Sequence, residues 1–193
     1  MGMIPQQNVA PTPVNWNSRS KRYMNPNELE TLISLIGSVQ PRCVVEFGIN
    51  NGRTAQALME YVPSIEEYVG IDVPKGYVTN KPVQRGEVPD IPGQLVAEDR
   101  RVKLIVREGG SQAVNAGELP YCDAVFIDGD HSRSGVENDT MLAMQRTRPG
   151  GIIVWHDYHD LGTVDVREVL NEKFKKGWDL RHVPGTWLVF MLV

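Results

Sequence analysis

The chain has few of the features that mark secreted, membrane-bound or nucleic-acid-binding proteins. Its 193 residues include only two cysteines, Cys43 and Cys122, and both lie in apolar runs that predict buried strands. We therefore expect reduced core thiols rather than a disulfide framework. No apolar run reaches the length of a membrane span, and the polar N-terminus lacks the apolar centre of a signal peptide. Because the formal net charge is −4, a nucleic-acid partner is disfavoured, and we expect a cytoplasmic protein that contacts neither membrane nor nucleic acid.

The length and composition suit one globular domain preceded by a short arm. Hydrophobic residues make up 41% of the chain, which is ordinary for a folded protein. Residues 1–24 are polar and contain three prolines, so we predict an extended arm there and a domain over residues 25–193. The arm can pack on the domain, cover a ligand or reach a second subunit, which leaves a homo-oligomer open.

Short apolar runs alternate with amphipathic segments along the domain. This alternation is typical of a doubly wound, Rossmann-like α/β fold, and we predict seven strands, mostly parallel, with an antiparallel last strand. Residues 73–101 interrupt the alternation with four prolines and form a candidate lid loop. The predicted helices are 25–37, 53–61, 135–147 and 164–175, and the predicted strands are 43–45, 68–72, 102–106, 122–127, 152–155, 178–183 and 187–193.

Residues 43–54 form the stretch around which the chain is organised. A buried apolar run ends at Glu46, the chain turns through Gly48 and Gly52, and helical sequence follows. Strand, glycine turn and helix are the usual nucleotide-binding start of a doubly wound sheet. The turn reads Glu-x-Gly-x-x-x-Gly, and a carboxylate repels a pyrophosphate but suits the ammonium group of S-adenosylmethionine (SAM). The turn therefore favours SAM over a dinucleotide, although a strand, turn and helix without any ligand can share this pattern.

Asp72 ends the second predicted strand, about 20 residues after the glycine turn, where an acid commonly accepts hydrogen bonds from ribose hydroxyls. The alternative is a solvated acid at a strand end.

Ionisable side chains gather at the predicted carboxyl ends of the strands, where open parallel sheets bind ligands. Asp128 and Asp157 follow neighbouring strands, so their carboxylates can share one divalent ion, and oxygen ligands suit Mg²⁺. His156 as a third ligand would instead favour Mn²⁺, Fe²⁺ or Zn²⁺. The alternative is that these acids cap helices and bind water. The ionisable residues at this edge are Glu46, Asp72, Asp128, Asp130, His131, His156 and Asp157.

His131 stands three residues after Asp128. An imidazole with a pKa near ~6.5 can take a proton at cellular pH, and a hydroxyl held on a metal is easier to deprotonate. We predict that Asp128 and His131 are catalytic, with His131 as the base; the alternative is that His131 caps the following helix.

The chain resembles the class I SAM-dependent methyltransferases over roughly residues 28–193. Residues 46–54 resemble motif I of the catechol-type O-methyltransferases, and residues 110–112 resemble their adenine-contacting turn. Residues 126–131 and 148–158 are similar to a subgroup, methyltransferase domain 24-like, that contains macrolide-sugar O-methyltransferases and cephalosporin-biosynthesis enzymes. The resemblance implies that SAM is bound by Glu46, Gly48, Asn50, Gly52, Thr54, Asp72, Gly110, Ser111, Gln112 and Asp128.

The same resemblance implies roles for the acidic edge. Sugar-methylating members use as base a histidine at the position of His131. Metal-dependent members hold Mg²⁺ through acids that Asp128 and Asp157 match, and His156 stands where those members have Asp or Glu. We therefore expect methylation of a hydroxyl group on a small molecule, assisted by Mg²⁺ or Mn²⁺.

Two other functions stay open at this stage. The chain can be a SAM-binding module, or a subunit without transferase activity of its own. A nicotinamide-dependent oxidoreductase is the other alternative, and Glu46 counts against it because that position would hold a phosphate-binding glycine.

Overall fold

Strands and helices alternate along the protein. A computed structural model describes residues 3–15, 26–78 and 88–193. Among these residues, no helix combines the length and the apolar character needed to cross a membrane. The strands are β1 (Cys43–Phe47), β2 (Glu67–Asp72), β3 (Val102–Val106), β4 (Cys122–Ile127), β5 (Thr147–Trp155), β6 (Arg181–His182) and β7 (Val189–Leu192). The α-helices are α1 (Pro26–Ser38), α2 (Arg53–Tyr61), α3 (Arg133–Arg146) and α4 (Val166–Lys175), and short 3₁₀ helices form at Gly110–Ala113 and Ala116–Glu118.

These seven strands form one sheet in the order β3-β2-β1-β4-β5-β7-β6. Strands β1 to β5 pair in parallel, and β7, the last strand in the chain, runs antiparallel to both β5 and β6. The predicted fold class is therefore confirmed. The strand order reverses between β1 and β4, and open α/β sheets bind ligands at such a switch point.

Helices cover both faces of the central strands, and alternate side chains of each strand enter two separate cores. Val45, Val125 and Trp155 pack with residues of α3 and α4. Val44 and Phe126 face the other way and pack with residues of α1 and α2. Burial on both faces explains why these strands are continuous apolar runs rather than alternating ones, and it fixes the positions of their carboxyl ends.

Some predicted boundaries move because of local hydrogen bonds. The Ser132 hydroxyl accepts a hydrogen bond from the backbone N–H of Gly135 at 3.3 Å, so Ser132 caps α3 and the helix begins two residues earlier than predicted. The two predicted closing strands shrink to β6 and β7. A turn from Val183 to Leu188 replaces the adjoining ends of the two predicted strands. The backbone N–H of Val183 donates to the carbonyl oxygen of Leu188 at 3.0 Å and closes this turn.

The described part of the arm first follows the outer edge of the sheet and then crosses to α1 and α2, where the backbone N–H of Thr12 donates to the Glu30 carbonyl oxygen at 3.1 Å and that of Asn15 donates to the Tyr61 hydroxyl at 2.8 Å. The backbone N–H of His182 donates to Pro5 and that of Gln7 donates to His182, both at 2.9 Å, and Ile4 is buried. The arm thereby covers the edge of β6. The remaining arm residues, and residue 25, where α1 was predicted to start, lie outside the described residues.

Part of the candidate lid loop packs on the central turn. The backbone N–H of Gly93 donates to Asn50 at 2.6 Å and that of Leu95 donates to Asn51 at 3.0 Å. Residues 79–87 lie outside the described residues, and the lid role stays a prediction.

Candidate active site

A cavity of about 450 Å³ lies at the switch point between β1 and β4. Its wall comes from the loops after β1, β2, β4 and β5, from residues 109–111 after β3, from the first residues of α2, and from Glu28, Asp139 and Trp187. Glu46, Gly52 and Gln112 were predicted as site residues but do not contribute to the wall. The predicted residues that line it are Gly48, Asn50, Thr54, Asp72, Gly110, Ser111, Asp128, His131, His156 and Asp157.

The central turn requires glycine at two places. Gly48 has a φ of +87°, and a β-carbon on it would lie 2.1 Å from the backbone oxygen of Asp128. Gly52 has a φ of +86° and precedes α2, and its β-carbon would lie 2.8 Å from Val96 Cγ2. The loops after β1 and β4 therefore approach each other only because Gly48 has no side chain. The first turn of α2 is left facing the cavity with its free N–H groups.

Asp72 lies in the wall with both carboxylate oxygens held by the backbone. Oδ2 accepts from the N–H of Asn50 at 2.6 Å and Oδ1 accepts from the N–H of Val73 at 2.7 Å. Burial raises the pKa of Asp72, and these two bonds oppose the rise. Each oxygen keeps a further lone pair, so the carboxylate can still accept bonds from a ligand.

Glu46 lies beneath the wall rather than in it. Its carboxylate is 1% exposed and accepts a hydrogen bond from the Tyr68 hydroxyl at 2.8 Å. Burial raises the pKa of Glu46 well above its ordinary value. The predicted contact between Glu46 and the cofactor stays a prediction.

The turn after β3 contributes only some of its predicted residues to the cavity. Gly110 and Ser111 line the cavity, whereas the Gln112 amide donates to Asp130 Oδ2 at 3.1 Å. The backbone of this turn, with Ser111, is therefore what reaches the cavity.

Asp128, His131 and Asp157 form a compact ionic cluster at the other end of the cavity. His131 Nε2 lies 2.9 Å from Asp157 Oδ2 and 3.5 Å from Asp128 Oδ1. In the described part of the chain, these three side chains offer metal-ligand atoms that all lie within 4.8 Å of one another. The cluster is thus close enough to share a proton or to hold one cation.

Charges in this cluster stabilise one another. Burial disfavours the charged form of His131, but the carboxylates of Asp128 and Asp157 outweigh it and raise the pKa of His131 to about 10. Burial also disfavours charged Asp157, yet His131 and His156 hold its pKa below the ordinary range. The pKa of Asp128 is lowered against the same burial effect, chiefly by the charge of His156. The carboxylates therefore favour the imidazolium form of both histidines.

His156 lies behind the cluster rather than among its converging atoms. Its Nδ1 is 3.2 Å from Asp128 Oδ1 and 3.4 Å from Asp157 Oδ1, while Nε2 is 3.8 Å from Glu28 Oε1. The ring is 4% exposed and packs against Trp187 at 6.1 Å between centroids. His156 thus joins three carboxylates from separate elements, and its role as a metal ligand stays a prediction.

Sequence reasoning missed several residues of the wall, among them Arg53, Asp139 and Glu28. Arg53 begins α2, and its Nε and Nη1 atoms are buried without a hydrogen-bond partner among the described residues; its place in the central stretch was an available signal. Asp139 lies on the buried face of α3, three residues after Val136. An acidic residue at a position where the helix pattern calls for an apolar one was the available signal. Glu28 accepts from the backbone N–H of Trp187 at 2.7 Å, and no local pattern reveals so distant a partner.

Comparison with known proteins agrees with this fold. The family whose profile matches the chain is described as a methyltransferase domain, and the match spans residues 45–158, more than half of the chain. No curated protein sequence matches the chain.

Solved structures with a similar fold share little sequence with the chain. Cofactor-bound Rv0187 from MTB has 19% identity and a TM-score of 0.63, and the match covers 91% of this chain and 84% of that one. The SAH-bound Podospora anserina methyltransferase PaMTH1 has 13% identity and a TM-score of 0.62, with coverages of 88% and 79%. The SAM complex of the O-methyltransferase TomG from Streptomyces achromogenes, involved in tomaymycin synthesis, has 15% identity and a TM-score of 0.56, with coverages of 88% and 83%. At these identities the likeness establishes the fold alone.

Proposed function

Because the chain belongs to the methyltransferase domain family and is a SAM-dependent methyltransferase, we propose that it methylates a hydroxyl group of a small molecule with the help of a divalent metal. The observation that carries this proposal is one cavity with two different ends. Asp72 and the glycine turn form one end, and the Asp128–His131–Asp157 cluster forms the other. A volume of about 450 Å³ is within the range of small-molecule sites.

The wall residues suit the parts of SAM. Asp72 has lone pairs for ribose hydroxyls, and the absence of a side chain at Gly48 lets the loops after β1 and β4 meet beside it. Arg53 and Thr54 at the start of α2 suit the carboxylate of the methionine end. Two guanidinium nitrogens of Arg53 have no hydrogen-bond partner among the described residues, and the helix start has free N–H groups. When bound, SAM supplies an electrophilic methyl group on a sulfonium centre.

The acid–histidine cluster suits a divalent metal. Asp128 and Asp157 would hold the ion together with His156, whose Nδ1 lies 3.2 Å and 3.4 Å from their oxygens, and His131 would be left as the base. Two carboxylates and an imidazole form a mixed oxygen and nitrogen donor set, which favours Mn²⁺, Fe²⁺ or Zn²⁺ over Mg²⁺. A bound ion would lower the pKa of the acceptor hydroxyl.

His131 is the residue that we propose as base. A base must be neutral, and the adjacent carboxylates favour the charged imidazole. Neutralising Asp128 and Asp157 would therefore let Nε2 of His131 accept the hydroxyl proton. The buried walls contribute alignment and exclusion of water.

The test compares acceptors and metals in one assay. The purified protein, stripped with EDTA, is given SAM and matched panels of hydroxyl-bearing and amine-bearing small molecules, and formation of S-adenosylhomocysteine (SAH) is followed with and without Mn²⁺ or Mg²⁺. We expect turnover with members of the hydroxyl panel, and faster turnover with Mn²⁺.

Three outcomes would contradict the proposal. Turnover confined to amines would overturn O-methylation, and equal rates with and without a metal would overturn the metal role. SAH binding by calorimetry without turnover on any acceptor would favour a SAM-binding module.

A further inference from the structure

Asp139 is a buried acid that the proposed chemistry does not use. It lies on α3, is 0% exposed, and still borders the cavity. Its Oδ1 accepts from the Asn138 amide at 3.3 Å, whereas Oδ2 is buried without a hydrogen-bond partner among the described residues. A buried carboxyl oxygen without a partner costs free energy, so its retention at the cavity suggests a partner that enters with the ligand.

Asp139 lies between the two loops that flank one end of the cavity. A β-carbon on Gly129, in the loop after β4, would be 3.1 Å from Asp139 Oδ2. On the other side, the Asn138 amide that bonds Asp139 also donates to Ser111 Oγ at 3.5 Å, which connects it to the turn after β3. The free oxygen is therefore positioned between the Gly110–Ala113 turn and Gly129.

The chemistry of this position suits a hydrogen-bond donor on a neutral ligand. No cationic side chain of the described residues pairs with Asp139 at ion-pair distance. Burial raises the pKa of this carboxyl to about 7, and hydrogen bonding by the Ser111 and Asn138 side chains opposes the rise. Adenine presents an exocyclic amino group, and it is the part of SAM expected beside Gly110 and Ser111. When Asp139 is ionised its oxygens can only accept, so the carbonyl oxygen that replaces this amino group in inosine would face the Asp139 oxygen with no proton between them.

We propose that Asp139 Oδ2 accepts a hydrogen bond from the exocyclic amino group of the cofactor's adenine, which makes Asp139 a specificity residue for adenosyl over inosyl ligands. This inference rests on the proposed function, in which this cavity holds SAM.

The experiment measures selectivity rather than affinity alone. At about pH 8, above the pKa of Asp139, SAH and S-inosylhomocysteine, its deaminated analogue, are titrated calorimetrically into wild type, Asp139→Asn and the control Asp179→Asn, whose side chain is 75% exposed and outside the cavity. We expect wild type and the control to prefer SAH by roughly 30-fold, the scale of one buried unpaired acceptor. Asp139→Asn should lose at least ~10-fold of this preference, because its amide can turn and donate to the inosine oxygen.

The outcomes separate the inference from the proposed function. Equal binding of SAH and S-inosylhomocysteine to wild type, or an unchanged preference in folded Asp139→Asn, would overturn the inference while SAH binding leaves the function standing. If neither ligand binds wild type, the proposed function fails and the inference fails with it. Should Asp139→Asn not fold by circular dichroism, Asp139→Ser provides the same comparison, and the wild-type preference alone can still refute the inference.

Discussion

Two regions of the same sheet edge carry acids in very different states. At the ends of β1 and β2, Glu46 and Asp72 are held by neutral donors, the Tyr68 hydroxyl and backbone N–H groups, and burial raises the pKa of both. At the ends of β4 and β5, Asp128 and Asp157 face imidazoles, and their pKa values are lowered although they too are buried.

The difference shows that the partner, not the strand end, decides what a carboxyl group does. Burial acts in the same direction on all four acids, and a nearby positive charge reverses its effect only in the β4–β5 region. The β1–β2 region is thereby suited to hydrogen bonds with neutral groups of a ligand. The β4–β5 region is suited to moving a proton or holding a cation. The two regions divide binding from chemistry, and each prediction below tests that division.

The largest expected effect is on turnover when the β4–β5 region loses its base. His131→Gln should lower the rate of methyl transfer by roughly 10²–10⁴-fold, the usual contribution of a general base. The affinity for SAH should change less than about threefold, since binding belongs to the other region. Initial rates of SAH formation and calorimetric titration give the two readouts.

The control for this variant is His182→Gln, because His182 lies on β6 with its ring 2.9 Å from the Thr186 carbonyl oxygen and outside the cavity. It should leave rate and affinity unchanged. The division of roles fails if His131→Gln weakens SAH binding as much as it slows turnover.

A smaller effect is expected in the β1–β2 region, where a substitution should weaken SAH binding rather than slow turnover. Asp72→Asn removes the charge that accepts hydrogen bonds from the backbone and, as we propose, from the ribose. SAH affinity should fall by roughly 10- to 100-fold, the scale of a lost charge-assisted bond, whereas the rate at saturating SAM should change little. Asp179→Asn is the matched control. Unaltered SAH binding in Asp72→Asn would remove Asp72 from the cofactor site.

The sequence predicts the architecture and the list of strand-end residues because both depend on local patterns. Apolar runs such as the one ending at Glu46 mark buried strands, and parallel strands place their carboxyl ends together. The sequence also predicts the role of Gly48, because a tight turn from strand to helix needs the backbone freedom of glycine.

The pKa values of those residues depend on hydrogen-bond and ion-pair partners that lie far away in the chain. Tyr68 is 22 residues from Glu46, and Glu28 approaches His156 only because α1 packs beside β5. Such pairings follow from tertiary packing, so strand ends predict that Asp128, Asp157 and the two histidines gather at one edge. They do not predict which ring nitrogen meets which carboxylate, or that Glu28 approaches His156. The same reason hides Asp139, whose neighbours Ser111 and Gly129 belong to other elements.

The smallest expected effect is on stability, and it tests the state assigned to Glu46. An unfolded glutamate ionises near pH 4.5, whereas folded Glu46 keeps its proton to higher pH because it is buried. Between those pKa values the folded state binds more protons, so the free energy of unfolding falls as pH rises. Glu46→Gln cannot ionise and keeps an oxygen for the Tyr68 hydroxyl, so it should be more stable than wild type at about pH 8, and its advantage should grow with pH by at most ~1.4 kcal/mol per pH unit, the slope for one proton. Near pH 4 the two proteins should be similar.

Urea unfolding of both proteins at several pH values, with the exposed Glu98→Gln as control, measures this change. A stability profile of Glu46→Gln parallel to that of wild type would mean that Glu46 is ionised when folded. The β1–β2 region would then hold a buried anion, and the contrast with the β4–β5 region would rest on Asp72 alone.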